Sequence, residues 1–271
     1  MRHGTPPQTE IMMKNRVYHS SEKLDKSYKR LLVGSNINRY YLSYSNNLYI
    51  KYGNNLMYSS NENKMICLKL IMRQTSDILR VVYDDSSFYC QNSLFIISSD
   101  KVNLKLLNLL MNSKLLNFFY TMDNPQKGKT FAEIKPSVIK DLPIKNTLEN
   151  EQQVFIEKAD LMLSLNKELQ ETKQNFLNEL HIEKLTKKLQ NFEELEFDEF
   201  VKEYTKAKKI KFADKLEERN FKNEWKALFE NDKTLTCKLK EEITKTDKEI
   251  DKMVYKLYDL TEDEIMIVEG N

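Results

Sequence analysis

The chain has 271 residues, 40% hydrophobic and 31% charged, with a net charge of +2, enough length for one or two cores and a charge density typical of soluble proteins with solvated helix faces. No apolar run is long enough to span a membrane, and the first residues lack the apolar core of a signal peptide. Cys67, Cys90 and Cys237 are too few and too scattered for a disulfide framework or a Cys-x-x-Cys site, so a reduced, cytoplasmic protein is expected.

The charge is unevenly spread. Residues 1–150 hold 21 Lys and Arg against 12 Asp and Glu, net +9, whereas residues 151–271 hold 22 against 29, net −7. A basic half joined to an acidic half predicts that only the first half meets a polyanion.

In chain order, residues 1–20, with Gly4, Pro6 and Pro7, read as an irregular lead-in, and residues 21–150 as a domain of mixed structure. Leu31–Ile37 predicts a short strand and turn. The stretch from Tyr40 to Tyr58, with six tyrosines among Asn and Ser, predicts strands and polar loops. Lys64–Thr75 reads as a buried strand emerging into a polar tip. Leu79–Tyr83 and Tyr89–Ile97 flank the turn-like Asp84–Ser87 and read as a hairpin. Leu104–Tyr120, dense in leucine, suits a buried helix, and Lys127–Ile144 a basic strand segment.

From Glu151 the texture changes. Phe155, Ala159, Met162, Leu165 and Leu169 recur at helical spacing, and Phe176, Leu180, Leu185 and Leu189 continue the pattern. One helix of roughly forty residues, about 55–60 Å long, is therefore expected. Further helices are expected over 197–229 and 235–260, and the capping box Thr261–Glu264 opens a last short one. With no Pro or Gly between Ile144 and Gly270, residues 151–271 predict an arm of long, antiparallel, coiled-coil-like helices. The expected class is α+β.

Short motifs stand in order along this frame: Arg73-Gln-Thr-Ser-Asp77, Gln91-Asn-Ser-Leu-Phe95 and Asn112-Ser-Lys-Leu-Leu-Asn-Phe-Phe-Tyr120. Lys127-Gly128 with Phe131, Ile134-Lys135 and Leu142-Pro-Ile144 follows, then Glu151-Gln-Gln153. Together they resemble the target-recognition domain of bacterial restriction–modification enzymes. The resemblance is stronger to the C-terminal specificity region of type IIG enzymes, in which methyltransferase and nuclease share a chain, than to type I specificity subunits. The run from Thr246 to Glu264 is similar to the helical tail of type IIG proteins, so the resemblance extends over about residues 30–268. It implies a compact α/β domain that reads double-stranded DNA from the major groove, with long helices as spacer or docking arm. It also implies a methyltransferase or nuclease partner, on another chain or in a preceding segment. The five glycines, at 4, 34, 53, 128 and 270, form no S-adenosylmethionine loop, and Asn124-Pro-Gln126 is only a fragment of a methyltransferase motif. No cofactor and no catalysis are expected of this chain itself.

DNA affinity comes mainly from Lys and Arg on phosphates, while side chains that reach base edges read sequence. Arg73 suits guanine, Gln74 adenine, and Thr75 and Ser76 either, presented at the tip of an apolar strand. Alternatively, Arg73 pairs with Asp77 and the others cap a turn. Lys127, Lys129, Thr130 and Lys135 suit phosphates, with Gly128 allowing close approach, or form a solvated loop. Arg39, Tyr40 and Tyr41 add a phosphate or aromatic contact, or pack in the core. Two other classes stay open. One is a standalone nuclease holding Mg²⁺ on Asp123 and Glu133, with Lys135 completing a Glu-x-Lys arrangement. The other is a helical adaptor that binds protein and not DNA. His3, His19 and His181 are too scattered for a metal site or triad. The apolar stripes of the arm are core in the first instance, and whatever they leave uncovered suits a second chain, a homodimer included.

Overall fold

A computed structural model describes residues 8–44, 47–57, 59, 61–123, 132–145 and 147–270, without the side chains of Asp123, Glu149 and Asn150. Its elements are α1 (Glu10–Lys14), β1 (His19–Ser20), β2 (Tyr28–Leu32), β3 (Tyr49–Lys51), α2 (Asn63–Ile66), β4 (Lys69–Arg73), β5 (Val81–Asp84), β6 (Tyr89–Cys90) and β7 (Leu94–Ile97). Helices follow: α3 (Leu104–Asn112), α4 (Lys114–Asp123), α5 (Pro136–Lys140), α6 (Glu149–Glu179), α7 (Lys187–Gln190), α8 (Phe197–Lys208), α9 (Lys215–Leu257) and α10 (Glu262–Glu269). The class is α+β, as expected. The chain divides into two compact units, residues 1–160 with 249–271, and residues 161–248.

The first unit holds two small sheets, ordered β1-β3-β2-β6 and β5-β4-β7. In the second sheet β4 is central, antiparallel to both neighbours, and its Leu70, Ile71 and Met72 are fully buried. Helix α3 buries Leu106, Leu109, Leu110 and Met111 and packs against β4 and β5. The buried carboxamide of Asn112, at its end, closes the edge of β5. Its oxygen accepts the Val81 N–H at 3.1 Å and its nitrogen donates to the Val81 carbonyl at 2.8 Å. Asn117 Oδ1 accepts the Leu79 N–H at 2.7 Å. Two side chains thus do for β5 what another strand would do.

The hairpin expected around Asp84–Ser87 does not form. β5 pairs with β4, and β6 runs parallel to β2, with Leu31 opposite Tyr89. The reason is a buried ion pair between the register partners Lys69 and Asp84, 2.6 Å apart. Asp84 also accepts the N–H groups of Ser86 (3.0 Å) and Phe88 (3.2 Å), which turns the chain out of the line of β5. Two further expectations change in detail. Residues 63–66 form a helical turn before the strand at Lys69, and the leucine-rich helix is split at Ser113, which is extended and bonds back to the Leu110 carbonyl at 2.7 Å.

In the second unit α6 and α9 run antiparallel. Leu165 and Leu169 cluster with Leu239 and Ile243, while Phe176, further along α6, meets Phe229, earlier on α9. The expected forty-residue helix stops at Glu179, because Leu180 turns into an aromatic core and His181 takes a left-handed conformation (φ 48°). Phe176, Phe192, Phe200, Tyr204 and Phe229 fill that core, and Leu189 folds back over it instead of continuing the stripe. The helix expected over 197–229 is broken after Lys208, and α9 absorbs the third expected helix in one run of 43 residues. The capping box forms: Thr261 Oγ1 accepts the Glu264 N–H, and Glu264 accepts the Thr261 N–H at 2.8 Å.

The sequence placed the domain boundary at 150/151. By contact the units divide inside α6, at 160/161, and the last 23 residues cluster with the first 160. Asp251 accepts the Lys114 N–H at 2.9 Å, and the Tyr258 hydroxyl donates to the Pro143 carbonyl at 2.6 Å. The division changes the meaning of the charge. Residues 161–248 hold 19 basic and 19 acidic residues, so the acidic excess lies in 151–160 (1 against 3) and 249–271 (2 against 7). Both stretches belong to the first unit, where Asp160 pairs with Lys105 (2.6 Å), Asp259 with Lys145 (2.7 Å) and Glu269 with Lys114.

Two outcomes are expected. Asn112→Leu leaves two buried backbone groups of Val81 without side-chain partners, and denaturant titration should show a loss of about 2–4 kcal/mol. A loss below about 0.5 kcal/mol would show that the edge of β5 does not depend on this residue. In the second unit, Glu193 is buried, which alone would raise its pKa. Hydrogen bonds from Lys173 (2.7 Å) and Lys240 (2.5 Å) to its Oε1 outweigh that and hold it below the usual value. A depressed carboxylate contributes stability above its unfolded pKa and loses it as pH falls through the folded one. Unfolding followed by the sole tryptophan, Trp225, should therefore become easier below about pH 4.3, and Glu193→Gln should flatten that dependence. An unchanged acid limb in the Gln variant would contradict the role given to the two lysines.

Candidate nucleic-acid interface

The end of β4 is where predicted site residues meet. Arg73 stands opposite Leu94 in the sheet. Beyond it, the Gln74 N–H donates to the Ser93 carbonyl at 3.0 Å, and the Gln74 carbonyl accepts the Ile134 N–H at 2.9 Å. Thr75 forms an antiparallel bridge with Glu133. One residue thereby joins the turn before β7 on one side to the segment before α5 on the other. The Gln74 side chain donates from Nε2 to Glu133 Oε1. The result is an exposed rim of Thr75, Asn92, Glu133 and Lys135 around a half-buried Gln74.

Arg73 lies partly under this rim. Its side chain packs over Gly34, where an added Cβ would stand 3.8 Å from Arg73 Cγ and Nε. Among the described residues Arg73 Nε–H has no acceptor, and Asp77 pairs with Arg80 (4.0 Å) and not with Arg73. Ser76 turns inward: it is buried, and its Oγ accepts from Arg80 Nε at 3.1 Å and from the Ile78 N–H at 3.4 Å. Lys135 is exposed and precedes α5, its carbonyl accepting the Val138 N–H at 3.1 Å.

Arg39 and Tyr40 lie elsewhere. Arg39 Nη2 donates to the Asn112 carbonyl at 2.7 Å, and its guanidinium sits over the Tyr40 ring. Tyr40 is buried in a left-handed conformation (φ 64°), and its N–H donates to the Val81 carbonyl at 3.1 Å. Both belong to the support of β5. Lys127, Lys129 and Thr130, with Gly128, lie outside the described residues, as does the side chain of Asp123.

Sequence reasoning passed over Ser93 and Asn92 as site residues and weighed Glu133 only as a metal ligand. The motif Gln91-Asn-Ser-Leu-Phe95 was a signal for the first two; nothing local in sequence links Glu133 to Gln74, 59 positions away. Behind the same turn lies a cavity of about 190 Å³ lined by His19, Tyr52, Cys90, Gln91 and Asn92 among others. Burial, with Arg16 nearby, lowers the His19 pKa, and burial pushes the Cys90 thiol up to about 12. A neutral thiol beside an imidazole that resists protonation is poorly placed for nucleophilic or general-acid work. Among the described residues no three His, Cys, Asp or Glu side chains converge as metal ligands, and no helix is long and apolar enough to cross a membrane.

Comparison with known families agrees with this geography. Residues 148–254 match a domain of unknown function (DUF8810), and residues 29–144 match the TaqI-like C-terminal specificity domain. No curated protein matches the chain. The second match runs from β2 to just beyond α5 and contains every residue of the rim. What the chain is similar to over residues 29–144 is therefore the TaqI-like C-terminal specificity domain.

Proposed function

We propose that the first unit recognises a sequence in double-stranded DNA, in the cytoplasm, as the specificity module of a restriction–modification system of the type IIG kind. It would hold over its site a methyltransferase or nuclease carried on another chain or another part of the same polypeptide. The observation that carries this reading is the coincidence of the specificity-domain match with the rim at the end of β4. The chemistry of Gln74 supports it. With one Nε2 hydrogen committed to Glu133, the amide keeps a second hydrogen for adenine N7 and its oxygen for the adenine N6 amine. Glu133 thus serves as a positioning residue that sets the plane of the amide. Thr75 offers a hydroxyl that suits several bases, Arg73 a guanidinium at the margin, and Lys135 a phosphate contact. Ser76, Arg39 and Tyr40 are left out of this reading because each is engaged inside the fold.

Net charge does not drive binding in this account. The first unit as a whole holds 24 basic against 22 acidic residues, so affinity must come from local placement. Selection from a random duplex pool should return one preferred motif, bound with strong salt dependence and left uncut in Mg²⁺. Cleavage that Glu133→Ala abolishes would favour the nuclease reading through Asp123, Glu133 and Lys135 instead. On the selected duplex Gln74→Ala should cost about 1–3 kcal/mol and relax preference at one base pair. Lys135→Ala should weaken all duplexes alike and reduce the salt slope by about one unit. If Gln74→Ala weakened selected and random duplexes equally, Gln74 would not be a reader.

A further inference from the structure

The turn from the end of α8 to the start of α9, residues 206–215, carries five lysines in ten residues: Lys206 and Lys208 in the last turn of α8, Lys209 and Lys211 in the loop, and Lys215 at the start of α9. All are exposed, and among the described residues none is in an ion pair, although neighbouring Lys188 and Lys222 are. The one acid in the stretch, Asp214, is spent on the start of α9, where its Oδ1 accepts the N–H groups of Leu216 (2.8 Å) and Glu217 (2.9 Å). Lys206 and Lys208 have an ordinary explanation, since cations suit the last turn of a helix. Lys209 and Lys211 do not. Lys209 occupies the left-handed cap of α8 (φ 58°), a position that glycine fills with least strain. The chain accepts strain there and keeps a charge.

The loop is also held in shape. The Ile210 N–H donates to the Thr205 carbonyl at 2.9 Å and the Lys209 N–H to the Lys206 carbonyl at 3.3 Å, the closure of a Schellman motif. Ile210 packs against the aromatic core, and the Phe212 ring lies 5.3 Å from that of Phe221. With Ile210 and Phe212 anchored, Lys209 and Lys211 alternate with them on the exposed side. Such a surface offers concentrated positive charge and no exposed aromatic, with Leu216 the one large apolar side chain exposed beside it, whereas protein interfaces deplete lysine and favour aromatics. It fits a polyanion backbone.

We propose that this lysine loop is a second, sequence-independent DNA contact that binds the phosphates of duplex DNA. It needs no specific site and so does not require the reading of the first unit to hold. The test uses the full chain and random-sequence duplexes between 50 and 200 mM salt. Lys208→Ala/Lys209→Ala/Lys211→Ala should weaken binding at least about tenfold at 0.1 M salt and reduce the salt slope by about 2–3 units, near 0.9 per phosphate contact. The control Lys184→Ala/Lys187→Ala/Lys226→Ala removes the same charge from exposed positions of the same unit and should leave both values nearly unchanged. Lys209→Gly, which relieves the strained cap, should stay folded by Trp225 emission and still lose part of the affinity. Wild-type binding by the triple variant would overturn the inference and leave the loop to an acidic protein, and equal losses in the control would overturn it as a mere effect of net charge. Failure to select any preferred motif, with the loop variant still impaired on random DNA, would defeat the first unit's proposed role and leave this one standing.

Discussion

The carboxamide of Asn112 holds the edge of β5, and the rim is built one strand away. Val81 gives its N–H to Asn112, and its carbonyl accepts from both Asn112 and the Tyr40 N–H. Arg39 closes the group by donating to the Asn112 carbonyl. A buried strand edge without such partners would leave polar groups stripped of water, at about 1–3 kcal/mol each. With β5 held, its register with β4 is held, and Arg73, Gln74 and Thr75 emerge in one orientation. Gln74 then joins Ser93 and Ile134 through its own backbone. Exposed chemistry at the rim therefore depends on a buried amide.

Charge is organised by folding, not by halves of the chain. The acidic residues after 150 that lie outside the balanced second unit belong to the first, where several pair with lysines of the basic stretch. Lys105, Lys114 and Lys145 are thus structural cations. Partly exposed pairs of this kind contribute little stability, but they remove three charges from any count of phosphate contacts. The cations that the two proposals assign to DNA are local: Lys135 and Arg73 at the rim, and the lysine loop in the second unit.

Much of this was legible in sequence where the signal is local. The apolar run Leu70–Met72 marks β4, and Thr261 with Glu264 marks the start of α10. The ordered motifs led to the specificity-domain family, and the Asn112 and Asn117 motif proved to be the support of β5. What was illegible depends on partners distant in sequence. Asp84 looks like a hairpin turn until Lys69 is seen beside it. Leu185 and Leu189 continue a helical stripe on paper, yet the core of Phe176, Phe192 and Phe200 draws the chain back. Glu133 enters the sequence reading only through its Glu-x-Lys arrangement with Lys135, because its partner Gln74 cannot be inferred from spacing.

The central claim is that the rim at the end of β4 faces DNA bases. Site-specific photo-crosslinking tests it most directly, with a photoreactive residue at Thr75 and, as a control, at exposed Lys184 in the second unit, each on the selected duplex. The account predicts crosslinks from position 75 to one or two defined bases inside the motif, and none from position 184 at those bases. Crosslinks from position 75 spread along the backbone, or absent while the complex still forms, would contradict it.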